Sequence, residues 1–455
     1  MATKLRPPAT GLPPSSPRLR ALLEEGERLI EQGLVPLSII NDEEVYRAEL
    51  DRIFGRCWVY VAHETEIPNP GDFVQRYIGE DPWIVSRDEA GGINVLFNSC
   101  IHHGAQVCRA EKGNASQFEC PYHGWTYDSA GKLVGVPHRT RAYKGMPIES
   151  MGLHRAAQVD TFRGLIFACL DAETEPLADY LGDFRWYLDI HLGLCEGGMT
   201  VVGEPNRWRI GADWKTAAEN FCGDSYHTQT LHRSILDMVL VAKGGVGSGG
   251  THDIHVTDCS GHSTSLRRSG PGTDTLFSYP EPLKSELTMP GLSEAQRDFA
   301  RGSLLHVGNV FPNLSLIHIP AIDSQNSPSI TYLGLRQWQP KGPGRIEAVS
   351  WVLVPKPASE EYRRQAIKAA VASFSPSGNF EQDDTIVWAS IARNADSILA
   401  RRGTATLNFQ MGLDGIGEAR LLEDWPGPGT AWDTNLEEGT QRTFFRHWLR
   451  AMAEA

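Results

Sequence analysis

Between Cys100 and His123 the chain carries two short metal-ligand pairs, and few folds can accommodate them. Cys100-x-His102 and Cys120-x-x-His123 lie within NSCIHHG and FECPYHGW, seventeen residues apart. A thiolate beside an imidazole, used twice, makes a tetrahedral zinc site. It makes equally a [2Fe–2S] cluster in which two histidines replace two cysteines on one iron. Chance clustering among 15 histidines is the bland alternative. Four ligands in two short pairs, each beside turn residues, argue against it. Gly104 and Gly124 let the backbone fold tightly past the ligands, and Pro121 fixes the loop between the second pair.

At 455 residues the chain is long for one core and suggests two domains. A hydrophobic share of 41% is ordinary for a globular protein, and no uninterrupted apolar segment suits a membrane span. The Pro-rich start, MATKLRPPATGLPPSSP, has no apolar stretch of the secretory kind and reads as a loose arm. A net charge of -13 argues against general affinity for nucleic acid and permits a basic electron-transfer partner. Of eight cysteines, only Cys100 and Cys120 sit in metal spacing, so a reducing cytoplasm is expected rather than a disulfide framework.

Residues 1–56 read as an N-terminal arm and helices packing on the catalytic domain. Ser16-Pro17 starts one helix and Asn41, with Glu44 three residues on, starts another. In residues 57–175 short β-rich runs (WVYVA, FVQRYIG, PWIVSR, INVLFN, FRGLIFACL) alternate with Gly, Pro, Asn and Asp turns, the texture of a small antiparallel β domain. In residues 176–455 strand candidates (LSLIHIPAI, SITYLGLRQWQP, RIEAVSWVLVP) mix with helices starting near Ser359, Phe380 and Thr434-Asn435. A mostly antiparallel sheet with long helices on it makes this an α+β domain.

A second candidate site lies in ENFCGDSYHTQTLH, where Asp224, His227 and His232 have the spacing D-x2-H-x4-H. In a regular helix Asp224 and His227 share a face, whereas His232 lies about 140° further round. Both imidazoles reach one ion only if the helix ends or distorts between them. The downstream run FEQDDTIVW supplies Glu381, Asp383 and Asp384. Two histidines and a carboxylate with open positions form the facial triad of Fe(II) enzymes that activate oxygen. Spacing cannot choose among the acids, which alone would read as a solvated helix N-terminus.

The C-x-H…C-P-Y-H-G-W run, followed by Tyr127-Asp128-x-x-Gly131-x-Leu133 and by the later A-E-N-F-x-x-D-x-Y-H-x-x-x-x-H, resembles the large (alpha) subunits of Rieske non-haem iron ring-hydroxylating oxygenases. The resemblance runs from near residue 40 to near 450. It implies a small antiparallel β Rieske domain plus a catalytic domain of helix-grip type. It implies that Cys100, His102, Cys120 and His123 hold a [2Fe–2S] cluster, and that His227, His232 and Asp384 hold a mononuclear Fe(II). Asp224 becomes a bridge toward His123 of a neighbouring subunit, and Asn220 matches a position near the iron. His103 departs from the family, which more often has Arg there. Positions matching the family's pocket wall are Phe221, Thr228, Leu236, Ile317, Phe374 and Phe380.

Gly245-x-Gly247-x-x-Gly250 superficially matches a dinucleotide fingerprint, but the adjoining run THDIHVTDCSG lacks helical periodicity and no βαβ pattern surrounds it. The chain is therefore expected to bind no NADH or flavin, and electrons must come from separate proteins. The resemblance implies a ferredoxin and an NADH-dependent reductase, and a trimer of catalytic subunits often joined by three small beta subunits. The resemblance implies cis-dihydroxylation of an aromatic ring with O2; the mostly apolar wall fits an uncharged aromatic, and the branch of the family that the chain resembles suggests a polycyclic hydrocarbon. Within the same scaffold stand a dioxygenase of an aromatic acid, for which Arg233, Arg267 or Arg268 would supply the cation, and a monooxygenase or demethylase. An iron–sulfur or zinc carrier protein without catalysis would leave His227, His232 and Asp384 unexplained.

Overall fold

The computed structural model describes residues 15–242, 251–257, 260–270, 272–322, 324, 327–434 and 436–453. The N-terminal arm and the Gly245–Gly250 loop lie outside the described residues. The chain divides into two compact units, one built on residues 50–177 and one on residues 15–49 together with 178–453. The helices nearest the N-terminus thus belong to the larger unit as far as Glu49, while Leu50–Phe54 belongs to the smaller.

The smaller unit is antiparallel throughout. Ile93–Phe97, Asp81–Arg87, Asp72–Ile78 and Lys112–Asn114 form one sheet, and Gln117–Glu119, Thr126–Asp128 and Leu133–Gly135 a second. A third joins Gln158–Phe162, Leu165–Cys169 and Val59–His63. Its apolar centre packs Phe73, Ile84, Leu96, Trp125, Tyr127 and Leu153 against Cys100 and Cys120. The two loops carrying the candidate ligands therefore stand on this apolar core.

Among the described residues of the larger unit nine antiparallel strands make one sheet. Its centre runs Ile346–Pro355, Ile330–Pro340, Leu314–Ala321, Ser303–Val310 and Ser263–Ser269 in neighbouring order. Helix Trp214–Gly223 packs on these strands. It buries Trp214, Ala217, Ala218 and Phe221 and is capped at its start by Asp213, whose side chain accepts from the Lys215 N–H. Such a cap stabilises a helix by about 1 kcal/mol. Lys215 is fully buried between Glu49 (2.6 Å) and Asp213 (2.7 Å), and Glu49 also accepts from the indoles of Trp214 and Trp448. These contacts tie the N-terminal segment, the central helix and the C-terminal helix together. The sheet's opposite face carries His306 and His318 against His191 of helix Arg185–Leu192.

Two helix starts differ from the sequence reading. The cap of helix Glu43–Glu49 is Asp42, which accepts from the N–H groups of Glu44 and Val45, rather than Asn41, whose amide donates to the Ala392 carbonyl. The last helix begins at Gly439, not near Thr434. Just before it Glu437 is buried and pairs with Arg442. No helix among the described residues is long and apolar enough to cross a membrane.

Candidate metal centres

The two ligand loops of the smaller unit repeat one backbone design. The Cys100 N–H donates to the Ala105 carbonyl, and the Cys100 carbonyl accepts from the Gly104 N–H. Likewise the Cys120 N–H donates to the Trp125 carbonyl, and its carbonyl accepts from Gly124. Gly104 and Gly124 close these turns at φ of 76° and 69°, where a side chain is disfavoured. Both thiols are buried, and Cys100 Sγ lies 3.1 Å from the Tyr127 hydroxyl. Burial pushes the Cys100 thiol up, and the Tyr127 hydroxyl pulls it back down.

The imidazoles stand at the outer edge. His102 stacks on buried Trp125 at 4.6 Å and meets His123 edge-on at 4.7 Å. The Tyr143 hydroxyl lies 3.2 Å from His102 Nε2, while His102 Nδ1 is buried without a hydrogen bond. One ring nitrogen is thus oriented and the other left available, the arrangement expected of a ligand histidine. The four residues fit a cluster with two thiolates inside and two imidazoles outside. His103 joins this edge: nitrogen atoms of His102, His103 and His123 all lie within 4.8 Å of one another. Sequence reasoning had left its place open.

In the larger unit the helix carrying Asn220 ends at Gly223, so Asp224 has non-helical backbone (φ -70°, ψ 75°). The expectation of a shared helical face is therefore replaced by a turn. Asp224 Oδ1 accepts from the His227 N–H at 3.2 Å, and Oδ2 lies 3.2 Å from His227 Nδ1 and 3.3 Å from the Asn220 amide. A short helical turn, Thr228–Leu231, then brings His232 round before helix Arg233–Ala242 begins. The long helix thus ends before both histidines, and this separate turn, flanked by His227 and His232, sets the two imidazoles together. His227 Nε2 and His232 Nε2 approach to 3.2 Å.

Asp384, on helix Asn379–Ala395, completes the group. Its Oδ1 lies 3.2 Å from His232 Nε2 and 3.6 Å from His227 Nε2, and it is buried without any hydrogen bond. Three ligand atoms converging on one point, with a bare buried carboxylate oxygen among them, fit a divalent metal. Burial opposes the charged form of His227, but Asp224 and then Asp384 outweigh it and raise that imidazole's pKa.

Around this group Phe380 meets His232 edge-on at 4.9 Å and stacks on Phe374 at 5.2 Å. Phe221 is buried on the central helix, and Leu236 follows His232 by one turn, half-buried like Thr228. Ile317 pairs in register with Gly334, on the sheet face that also carries Arg336. Missed by sequence reasoning were Arg336 and Glu381 as partners. Of the expected cations, exposed Arg233 pairs with Asp237, Arg267 with Asp253, and Arg268 lies over Phe299.

Two family models match the chain. The Rieske [2Fe-2S] domain covers residues 57–160, and the ring hydroxylating alpha subunit (catalytic domain) covers residues 177–454. The alpha subunit of N,N-dimethyl phenylurea N-demethylase from Sphingobium sp. is 36% identical over 95% of this chain and 94% of its own length. The biphenyl 2,3-dioxygenase alpha subunit of Rhodococcus jostii is 35% identical over 92% of this chain and 89% of its own. Among solved structures, naphthalene 1,2-dioxygenase from Rhodococcus sp., bound to indole, superposes with a TM-score of 0.90 at 40% identity. That match covers 97% of this chain and 100% of the other.

Proposed function

The chain belongs to the ring-hydroxylating oxygenase alpha subunits, oxidoreductases that join a Rieske [2Fe–2S] domain to a mononuclear non-haem iron domain, and on that premise we propose that it catalyses cis-dihydroxylation of a polycyclic aromatic hydrocarbon. The observation that carries this reading is the stacked pair Phe374–Phe380 set edge-on against His232. A flat, uncharged ring seated on such a wall needs shape and dryness rather than an acid–base group. Each buried aromatic ring contributes on the order of 1.5–3 kcal/mol of apolar transfer.

Cys100, His102, Cys120 and His123 would hold the cluster, and His227, His232 and Asp384 the iron. When bound, these groups supply stored electrons and activation of O2. The residues do the rest. Asp224 orients His227 through Nδ1 and Asn220 braces Asp224. Asp224 would also bridge toward His123 of a neighbouring subunit, on the route by which an electron would arrive. The arene takes up both oxygen atoms and two hydrogens, and NADH supplies two electrons through a reductase and a ferredoxin. A beta subunit would complete an α3β3 assembly.

A second reading is oxidative N-demethylation of an aryl-substituted urea, favoured by the 36% identity to the phenylurea demethylase. Turnover of naphthalene, phenanthrene and an N,N-dimethyl phenylurea under 18O2, with donor proteins and NADH, separates the two. A cis-dihydrodiol carrying two labelled atoms supports dihydroxylation. Formaldehyde and a demethylated urea, with the arenes untouched, would replace it.

A further inference from the structure

Arg336 is a cation in an unusual place. It lies on strand Ile330–Pro340 with 1% of its side chain exposed. Its guanidinium carbon stands 4.6 Å from the Trp338 ring, 5.3 Å from Phe221, 5.4 Å from Trp208 and 5.5 Å from Phe374. Burying a charge among aromatic rings is costly unless it is paired and hydrogen-bonded. The pairing is provided by Glu381, itself 1% exposed, whose Oε2 accepts from Arg336 Nη2 at 2.5 Å. Its other oxygen accepts from the Trp208 indole at 3.2 Å. Arg336 Nε and Nη1 make no hydrogen bond among the described residues, so apart from the surrounding rings the guanidinium is held through Nη2 by Glu381.

Glu381 precedes Asp384 by three residues on helix Asn379–Ala395, and both are among its buried residues. Residues three apart share a helix face. Burial raises the Glu381 pKa, Arg336 lowers it, and the charge of Asp384 raises it again. Two carboxylates one turn apart are therefore held together in the interior with a guanidinium beside the first. Removing that cation would leave the charges of Glu381 and Asp384 facing each other without it.

We propose that Arg336 and Glu381 are positioning residues for the iron carboxylate, clamping the first turn of helix Asn379–Ala395 to the sheet so that Asp384 Oδ1 points at His227 and His232. Phe221 and Phe374 rest against the same guanidinium, so the pocket wall and the metal ligand are set by one contact. The inference rests on the reading that His227, His232 and Asp384 hold iron. A merely structural pair would support the fold without setting the metal site.

The test uses the full chain with its cluster, the mononuclear site emptied by chelator and then titrated with Fe(II). With the cluster oxidised and EPR-silent, the EPR spectrum of the nitric oxide adduct reports the shape of the iron site. Arg336→Ala and Glu381→Gln are each expected to weaken Fe(II) binding about tenfold or more and to change that spectrum. Arg336→Lys, which keeps the charge, should recover most of the affinity. An unchanged spectrum of the reduced cluster shows that each variant chain is folded in its smaller unit, and the larger unit's melting temperature is recorded beside it. If Arg336→Ala does not fold, Glu381→Gln, nearly isosteric, decides. Affinity and nitrosyl spectrum within twofold of the parent in the folded variants would overturn the proposal, even with a lowered melting temperature. Absence of Fe(II) binding in the parent would instead bring down the iron reading itself, and the proposal with it.

Discussion

Asp383 Oδ2 lies 3.1 Å from Nδ1 of His232, the ring whose Nε2 faces Asp384 Oδ1 at 3.2 Å. Consecutive acids thus address opposite edges of one imidazole. Asp383 orients the ring and Asp384 offers the bare oxygen. Asp384→Ala should lower iron by about one atom per chain, from about three to about two, with acid-labile sulfide unchanged. Asp383→Asn should retain the iron with affinity weakened about tenfold. Metal and sulfide analysis on anaerobically purified protein reads both. Equal iron loss in the two variants would remove the distinction.

Asp224→Asn keeps the shape of the side chain but removes the charge facing His227 Nδ1. The cluster should still be reduced by dithionite or by a ferredoxin, with an unchanged EPR signal. Product formation in a single turnover should fall by tenfold or more. A normal yield would leave Asp224 with only the task of orienting His227.

Gly124 sits at φ 69°, and an added Cβ would stand 3.1 Å from Pro137 Cγ. Gly124→Ala therefore asks an L-residue to hold a left-handed turn against a rigid ring, at about 1–2 kcal/mol. The expected result is lowered cluster occupancy with iron at the second site retained. Sulfide content and the reduced-state EPR amplitude measure it, and full occupancy would show that the turn relaxes freely.

Phe374→Ala removes one of the stacked rings beside His232 while leaving every metal ligand in place. The KM for a polycyclic arene should rise about tenfold, corresponding to about 1.4 kcal/mol of lost apolar contact. Iron content should not change. An unaltered KM and an unaltered product pattern would place the arene elsewhere.

On the far sheet face His191, His306 and His318 form a buried chain, with contacts of 3.2 and 3.4 Å and the Tyr279 hydroxyl 2.9 Å from His318. Burial holds His191 down to about 3 and depresses the other two as well, with neighbouring imidazoles adding to the effect. A folded pKa below the unfolded value near 6.5 means that the unfolded chain binds more protons between them. Stability is then fully present above about pH 6.5 and lost as pH falls toward 3, by at most about 1.4 kcal/mol per pH unit for each imidazole. The melting temperature should hold above about pH 6.5 and drop as the pH falls from there to 5, and His191→Gln should flatten that slope. A slope unchanged in His191→Gln would assign the acid sensitivity to other groups.

Local backbone rules wrote much of this protein into its sequence. Cys100, His102, Cys120 and His123 were readable because their spacing, with Gly104 and Gly124, is fulfilled inside two five-residue turns. The strands of both units were readable from alternation and turn residues, whereas the helix expected to end or distort between His227 and His232 ends instead at Gly223, before both, and a separate helical turn, Thr228–Leu231, lies between them. What tertiary structure decided was everything that joins distant segments. Asp384 meets His227 and His232 only because helix Asn379–Ala395 packs beside helix Glu360–Phe374, which itself lies on the central strands. Asp42 rather than Asn41 caps its helix because the Asn41 amide is engaged by Ala392, some 350 residues away. Arg336 and Glu381 look like ordinary surface charges in the chain, and only the sheet register buries one beneath the other. Short-range geometry is encoded by neighbours in sequence, whereas the meeting of remote charges depends on how sheet and helices pack, to which no local pattern is sensitive.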